Sequence, residues 1–149
     1  MSYTERKYST RILSIDYGDV RIGLAISDVM QIIAKPYKII DNKSNDNVLE
    51  SIIRVIDEKN VEKIIVGLPL TLKNTFSNQT KKVEEFVLFL KNKINIPVLT
   101  YDERLTSIEA KRSLVNQGVK IKDKKGFVDM TAAAIFLQGY LDENASIQK

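Results

Sequence analysis

An α/β fold, with a mixed sheet between layers of helices, is what this 149-residue chain predicts. Three observations predict it. Two β-rich apolar runs near the start are separated by a short Gly/Asp connection, the mark of an antiparallel hairpin. From Asn47 onward, segments of helical period alternate with short continuous apolar runs, the pattern of parallel strands covered on both faces. No repeat, low-complexity tract or linker divides the chain, so a single domain is expected over residues 11–142, between a polar tail at 1–10 and a C-terminal tail at 143–149.

The elements follow in order. Arg11–Tyr17 and Val20–Ser27 are the hairpin strands, joined through Gly18-Asp19. A third short strand is expected around Tyr37–Ile40, and D-N-K-S-N-D-N after it is a turn cluster. Val48, Leu49, Ile52, Ile53 and Ile56 then recur at three- and four-residue spacing, the stripe of an amphipathic helix. Lys63–Gly67 is a β-branched run that Gly67-Leu68-Pro69 stops. A polar loop leads to a helix carrying Val83, Phe86, Val87 and Leu90, and Pro97–Tyr101 is the last strand. Thr106-Ser107-Ile108-Glu109 fits a capping box opening a helix with Ile108, Leu114 and Val115. Gln117–Gly126 is a lysine-rich loop, and a final helix is expected from Phe127 to Leu141, with Met130, Ala134, Leu137 and Leu141 facing inward.

The order β-β-β-α-β-α-β-α-α, with right-handed crossovers, puts the first strand at the centre and the later parallel strands beside it. Ligands of such sheets gather at the carboxyl ends of the central strands.

Composition narrows the chemistry. Hydrophobic residues make up 44% and charged residues 28%, an ordinary globular balance. The chain has no cysteine and no histidine, which excludes disulfides, thiolate metal sites and imidazole bases. Any metal site must use oxygen ligands, which favours Mg²⁺ or Mn²⁺ over structural zinc. No apolar run approaches the roughly 18 residues that span a bilayer, and the polar N-terminus lacks a signal-peptide core, so a cytoplasmic location is expected. The net charge of +4 gains meaning only if lysines cluster beside a site.

Three carboxylates stand out by position. Asp16 ends the central strand, Glu103 lies at a strand-to-helix junction in Y-D-E-R, and Asp129 lies in the first turn of the final helix. Each has a plainer reading. Asp16 fits a hairpin aspartate bonding its own backbone. Glu103 fits a partner for a nearby cation, and Asp129 a favourable charge at a helix N-terminus. Ala132-Ala133-Ala134 would let the final helix approach the sheet and bring Asp129 near the others. Converging carboxylates have a chemical use, since two divalent cations about 3.5–4 Å apart can cleave a phosphodiester.

The strings I-D-Y-G-D-V-R-I-G, I-V-G-L-P-L, Y-D-E-R-L-T-S and G-F-V-D-M-T-A-A-A-I-F-L, in this order from about Arg11 to Leu141, resemble the YqgF/RuvX family of Holliday junction resolvases and pre-16S rRNA nucleases. The resemblance implies a ribonuclease H-like fold, with a mixed five-stranded sheet, an N-terminal antiparallel hairpin and helices on both faces. It implies that Asp16, Glu103 and Asp129 are the catalytic carboxylates and hold one or two Mg²⁺ or Mn²⁺ ions. Gly18, Gly23, Gly67 and Pro69 match the family's structural loops, and Arg104 and Thr106 its segment after the catalytic glutamate. The chain departs from the family at Thr71–Thr75, where an Asn and an Asp-Gly pair are usual.

Lys120, Lys122, Lys124 and Lys125 precede Asp129 with only Asp123 to offset them. Such a run reads either as a solvated surface or as a phosphate track beside the acidic site, to which Lys73, Lys81, Lys82 and Lys111 would add. Tyr17 is the aromatic that adjoins the triad in sequence. The expected activity is metal-dependent hydrolysis of structured nucleic acid, in maturation of pre-16S rRNA. The alternatives are resolution of four-way DNA junctions and a non-catalytic role in ribosome assembly. Expected partners are structured RNA, branched DNA and ribosome precursors, with no membrane, for a monomer or homodimer. An ATP-dependent enzyme of the actin and sugar-kinase kind shares a D-x-G hairpin but needs a second lobe, for which this chain is too short.

Overall fold

The computed structural model describes residues 10–70, 77–105 and 127–148, and the side chains of these except 127–131 and 146–148. Five strands form one sheet in the order β3-β2-β1-β4-β5. They are β1 (Arg11–Asp16), β2 (Arg21–Ser27), β3 (Ala34–Asp41), β4 (Val61–Leu68) and β5 (Val98–Asp102). β1 is central, antiparallel to β2 and parallel to β4, so the mixed sheet has the arrangement expected from the crossover rule.

Alternation along the central strands divides the core. Leu13, Ile15, Ile64 and Val66 join one apolar cluster with Val48, Ile52 and Val55 of helix α1 (Asn45–Lys59) and with Val83, Phe86, Val87 and Leu90 of α2 (Asn78–Lys93). Ile12 and Ile65 face the other way, into a cluster with Tyr101 and with Ala133, Ala134, Phe136, Leu137 and Leu141 of α3 (Phe127–Gln148). Strands buried on both faces explain the unbroken apolar runs in the sequence. Ser14 is the exception on the α3 face. Its hydroxyl donates to the Ala133 carbonyl at 2.9 Å, a contact permitted by the small alanine side chains of the helix.

Several boundaries differ from expectation for local reasons. The β1–β2 connection is Tyr17–Val20 rather than a two-residue turn. Asn42 holds it from the end of β3, donating from Nδ2 to the Gly18 carbonyl at 2.9 Å and from its backbone N–H to Val20 at 2.9 Å. A Cβ on Gly18 would strike the Arg21 carbonyl oxygen, so this turn requires glycine. β3 is longer than expected. It tolerates Pro36 because it is an edge strand whose register with β2 shifts beside the proline, between the Leu24–Lys38 and Ala25–Pro36 pairs.

α1 starts two residues earlier than the periodicity indicates. Ser44, within the turn cluster, is its N-cap and accepts the Asn47 N–H. Val55 rather than Ile53 completes its buried stripe. α2 is opened by a reciprocal capping box between Ser77 and Thr80. α3 continues past Leu141 to Gln148, so most of the expected C-terminal tail is helical. No glycine or proline interrupts that stretch, and Glu143 ties it to β5 by accepting the Tyr101 hydroxyl at 2.9 Å. The helix expected from Thr106, the loop at Thr71–Thr75 and the lysine loop lie outside the described residues.

Candidate active site

The carboxyl edge of the sheet, on its α3 face, is where the acidic residues gather. Asp16 has the same parity as Ile12 and Ser14, so it projects toward α3. On β4, Gly67 has the parity of Ile65 and lies on that same face. Asp16 and Gly67 are each one residue beyond the Ile15–Val66 pair, on strands about 4.8 Å apart. Gly67 in turn pairs with Tyr101 on β5, and the chain after Asp102 turns into a single 3₁₀ turn, Glu103–Leu105.

That turn sends Glu103 back over the sheet. A Cβ at position 67 would lie 2.6 Å from Glu103 Oε1 and 2.6 Å from Phe136 Cε2. The missing side chain of Gly67 is therefore the space in which the Glu103 carboxylate rests, with the Phe136 ring beside it. Asp16 and Glu103 are thus brought to one face, one strand apart.

The third acidic residue is placed by its backbone. Along α3, Ala133 meets Ser14 and Phe136 meets Gly67, near the carboxyl ends of the strands. Farther along, Gln138 accepts the Ala34 N–H at 2.9 Å and Tyr140 accepts from Lys63 Nζ at 2.9 Å, near their amino ends. α3 therefore runs antiparallel to β1 and β4, and its first turn opens at the carboxyl edge. Asp129 lies in that turn, four residues before Ala133, about 6 Å along the axis. Its side chain is outside the described set.

Electrostatics at the edge are uneven. Burial, and secondarily the charge of Asp102, push the Glu103 carboxyl above its ordinary range. Among the described residues no ion pair or hydrogen bond compensates this carboxylate. Asp102 is held below its usual range chiefly by its hydrogen bond to the Arg104 side chain. Among the described residues no group of three acidic, histidine or cysteine side chains could hold a metal. The donor set nonetheless fits a hard divalent cation. It consists of carboxylate oxygens, in a chain with no histidine or cysteine, and one carboxylate occupies a cradle that any larger residue at position 67 would fill.

The remaining expected residues are distributed as follows. Gly18 is in the β1–β2 turn and Pro69 in the loop after β4, where its carbonyl accepts the Thr80 hydroxyl. Gly23 and Gly67 are strand residues rather than loop residues. Gly23 pairs directly with Asp16, and Gly67 keeps its place because of what must pass over it. Arg104 sits in the 3₁₀ turn, paired with Asp102 at 2.6 Å. Lys82 lies near the β1–β2 turn, 3.3 Å from Asp19. Thr106, Lys120, Lys122, Lys124 and Lys125 lie outside the described residues. Tyr17, the expected site aromatic, instead packs on Phe86 with ring centroids 4.6 Å apart, in the cluster of the opposite face. The aromatics beneath the acids are Phe136 and Tyr101. Strand alternation from Glu103 points to Tyr101, whereas the approach of Phe136 depends on the helix crossing.

This sheet order, with helices on both faces, defines the class as the ribonuclease H-like fold. Thermus thermophilus RuvC, solved with a Holliday junction substrate, superposes with a TM-score of 0.61 at 14% identity, covering 91% of this chain and 96% of that one. The yeast mitochondrial Holliday junction resolvase Ydc2 gives 0.54 at 9% identity, over 94% and 81%. These likenesses establish the fold. The family model described as "RuvX: Holliday junction resolvase" matches residues 10–143, and the chain belongs to that family, as the motifs implied. A relative from Halothermothrix orenii is 42% identical over 132 residues, 89% of this chain and 94% of its own. Another from Ruminiclostridium cellulolyticum is 39% identical over 142 residues, 93% and 99%. Both carry the name "Putative pre-16S rRNA nuclease". The chain is thus a member of a nuclease family.

Proposed function

We propose that this protein is a divalent-metal-dependent nuclease that hydrolyses phosphodiester bonds in structured nucleic acid, with pre-16S rRNA as its substrate. The observation that carries the reading is the Glu103 carboxylate lying over the bare Gly67, on the sheet face to which Asp16 projects from the neighbouring strand, at the edge where the helix of Asp129 begins. The names of its relatives support the RNA substrate. The description of its family favours a second reading, a four-way DNA junction as substrate.

In this reading Asp16, Glu103 and Asp129 hold one or two Mg²⁺ or Mn²⁺ ions, which when bound supply positive charge at the scissile phosphate and acidity to a nearby water. The chain's own residues do the positioning. Asp16 offers its carboxylate from the central strand of the sheet, and Glu103 from a turn that folds back over Gly67. Phe136 and Tyr101 form an apolar floor that keeps solvent from beneath the acids. Arg104, Thr106 and the lysines Lys120, Lys122, Lys124 and Lys125 bind backbone phosphates, which gives affinity without sequence reading and makes it fall with salt. No helix among the described residues is long and apolar enough to cross a membrane, and we place the activity in the cytoplasm with ribosome precursors.

The test is cleavage of a pre-16S rRNA fragment and of a four-way DNA junction side by side, with Mg²⁺ and with Mn²⁺. Wild type is expected to cut the RNA, and Asp16→Asn to cut neither while melting no lower than wild type without metal, because crowding of carboxylates is relieved. An Asp16→Asn variant that cuts normally sinks the assignment. Preference for the junction transfers the substrate to the second reading.

A further inference from the structure

Asp102 closes β5, immediately before Glu103, and its carboxylate gathers donors from the residue two positions on. Oδ1 accepts the Arg104 backbone N–H at 3.0 Å. Arg104 Nε donates to Oδ1 at 3.0 Å and to Oδ2 at 3.1 Å, and the terminal Nη2 donates to Oδ2 at 2.6 Å. The main-chain bond is an Asx turn, which bends the backbone at the point where the strand becomes the 3₁₀ turn. The side-chain bonds hold the guanidinium in one orientation.

Stability does not account for this arrangement. A surface ion pair between residues two apart contributes little to folding. It also sets a second carboxylate beside Glu103, whose own carboxylate is already pressed over Gly67. What the arrangement does achieve is positional. The backbone of Glu103 is fixed on both sides, by the β4–β5 ladder at Asp102 and by the Asx bond at Arg104. A guanidinium held in one orientation loses less freedom when it takes up a phosphate, and its planar fork suits a phosphate's oxygens.

We propose that Asp102 is a positioning residue for phosphodiester cleavage, anchoring the turn that carries Glu103 and orienting Arg104 toward the substrate backbone. The inference rests on the carboxyl edge being the cleavage site. Its two functions separate by substitution. Asp102→Asn keeps an oxygen for the Asx turn but loses the charge-assisted hold on the guanidinium. Asp102→Ala loses both.

The experiment measures kcat, KM and melting temperature for Asp102→Asn, Asp102→Ala, Arg104→Ala and Asp102→Asn/Arg104→Ala, on whichever substrate wild type cuts. Asp102→Asn is expected to raise KM about 5- to 10-fold with kcat within about twofold, and to add nothing in the Arg104→Ala background, since residues acting through one another are non-additive. Asp102→Ala is expected to lower kcat as well, by about tenfold or more, because a displaced Glu103 loses its alignment. Wild-type kinetics in both Asp102 variants, with or without a lower melting temperature, overturn the proposal. So does an undiminished Asp102→Asn effect in the Arg104→Ala background. Asp16→Asn keeps the two failures apart. If it cuts normally, or if wild type cuts neither substrate, the cleavage site itself is misassigned and this inference falls with it. If it is inactive while the Asp102 variants behave as wild type, only the positioning role is lost.

Discussion

Replacing Gly67 with alanine perturbs the point where fold and site meet. The added methyl carbon would sit 2.6 Å from Phe136 Cε2 and 2.8 Å from its Cζ, well inside van der Waals contact. Phe136 is 2% exposed and packed among Ala133, Leu137 and Tyr101, so its ring cannot step aside without moving the cluster. Overpacking of this kind costs about 1–3 kcal/mol. At roughly 2–4 °C per kcal/mol for a domain of this size, the melting temperature should fall by about 2–12 °C. The same methyl would lie 2.6 Å from Glu103 Oε1, the end of a flexible side chain, which yields by swinging away. A displacement of about 1 Å at a reacting group can cost about 100-fold in rate. Thermal melting and cleavage assays on Gly67→Ala should therefore show both losses. Gly67→Ala/Phe136→Leu should recover much of the stability, because the ring edge is gone, while cleavage stays low because Glu103 is still displaced. Wild-type cleavage by a destabilised Gly67→Ala would show that the position of Glu103 is immaterial to the chemistry. Wild-type melting would show that the close approach is not present.

Two further predictions concern the far end of the sheet. Gln138 is 2% exposed, accepts the Ala34 N–H and donates from Nε2 to the Ile32 carbonyl and to Asp142, each at 2.9 Å. Gln138→Leu would orphan the buried Ala34 N–H and should cost about 1–3 kcal/mol in urea unfolding; a midpoint equal to wild type would refute that accounting. Asp28 supplies the pH dependence. Burial opposes its ionisation, but the backbone N–H groups of Ile33, Ile32 and Met30 outweigh it and hold the carboxyl below its ordinary value. A depressed folded pKa gives stability that is present above the unfolded pKa and lost as pH falls through the folded one. The stability advantage of wild type over Asp28→Asn should thus be constant near neutrality and shrink below about pH 4. Urea midpoints that run parallel from pH 7 to the acid limit would remove Asp28 from the account.

Much of the fold was legible because both-face burial writes itself plainly. Ile64–Val66 is a continuous apolar run and Ile12–Ile15 is one broken only by Ser14, and each belongs to a strand that feeds two clusters. The helix stripes were legible for the same reason, with errors where a polar residue caps. Ser44 looks like one more turn residue in D-N-K-S-N-D-N until its hydroxyl is seen to take the Asn47 N–H. Gly67 was misread for a physical reason. A glycine closing a β-branched run before Leu-Pro has the appearance of punctuation, and nothing local reveals that a glutamate from 36 positions later needs its space. Tyr17 shows the converse: adjacency to Asp16 in sequence puts it on the opposite sheet face by simple alternation, which period-two reasoning alone could have found.

The acidic edge follows from contacts that carry no charge. Asp16 and Glu103 are far apart in the chain, and the helix whose first turn contains Asp129 approaches the sheet through Ser14 reaching the Ala133 carbonyl and through Phe136 finding no side chain at position 67. Either contact, if lost, would shift α3 relative to β1 and β4 and change the spacing of the carboxylates without altering any of them. The alanine run and the strand glycine are therefore as much part of the site's geometry as the acids. They also explain how a Glu103 with no compensating partner among the described residues is tolerated. The core on the α3 face is completed by Phe136, Leu137 and Leu141, and the carboxylate is carried over that core's edge rather than through it.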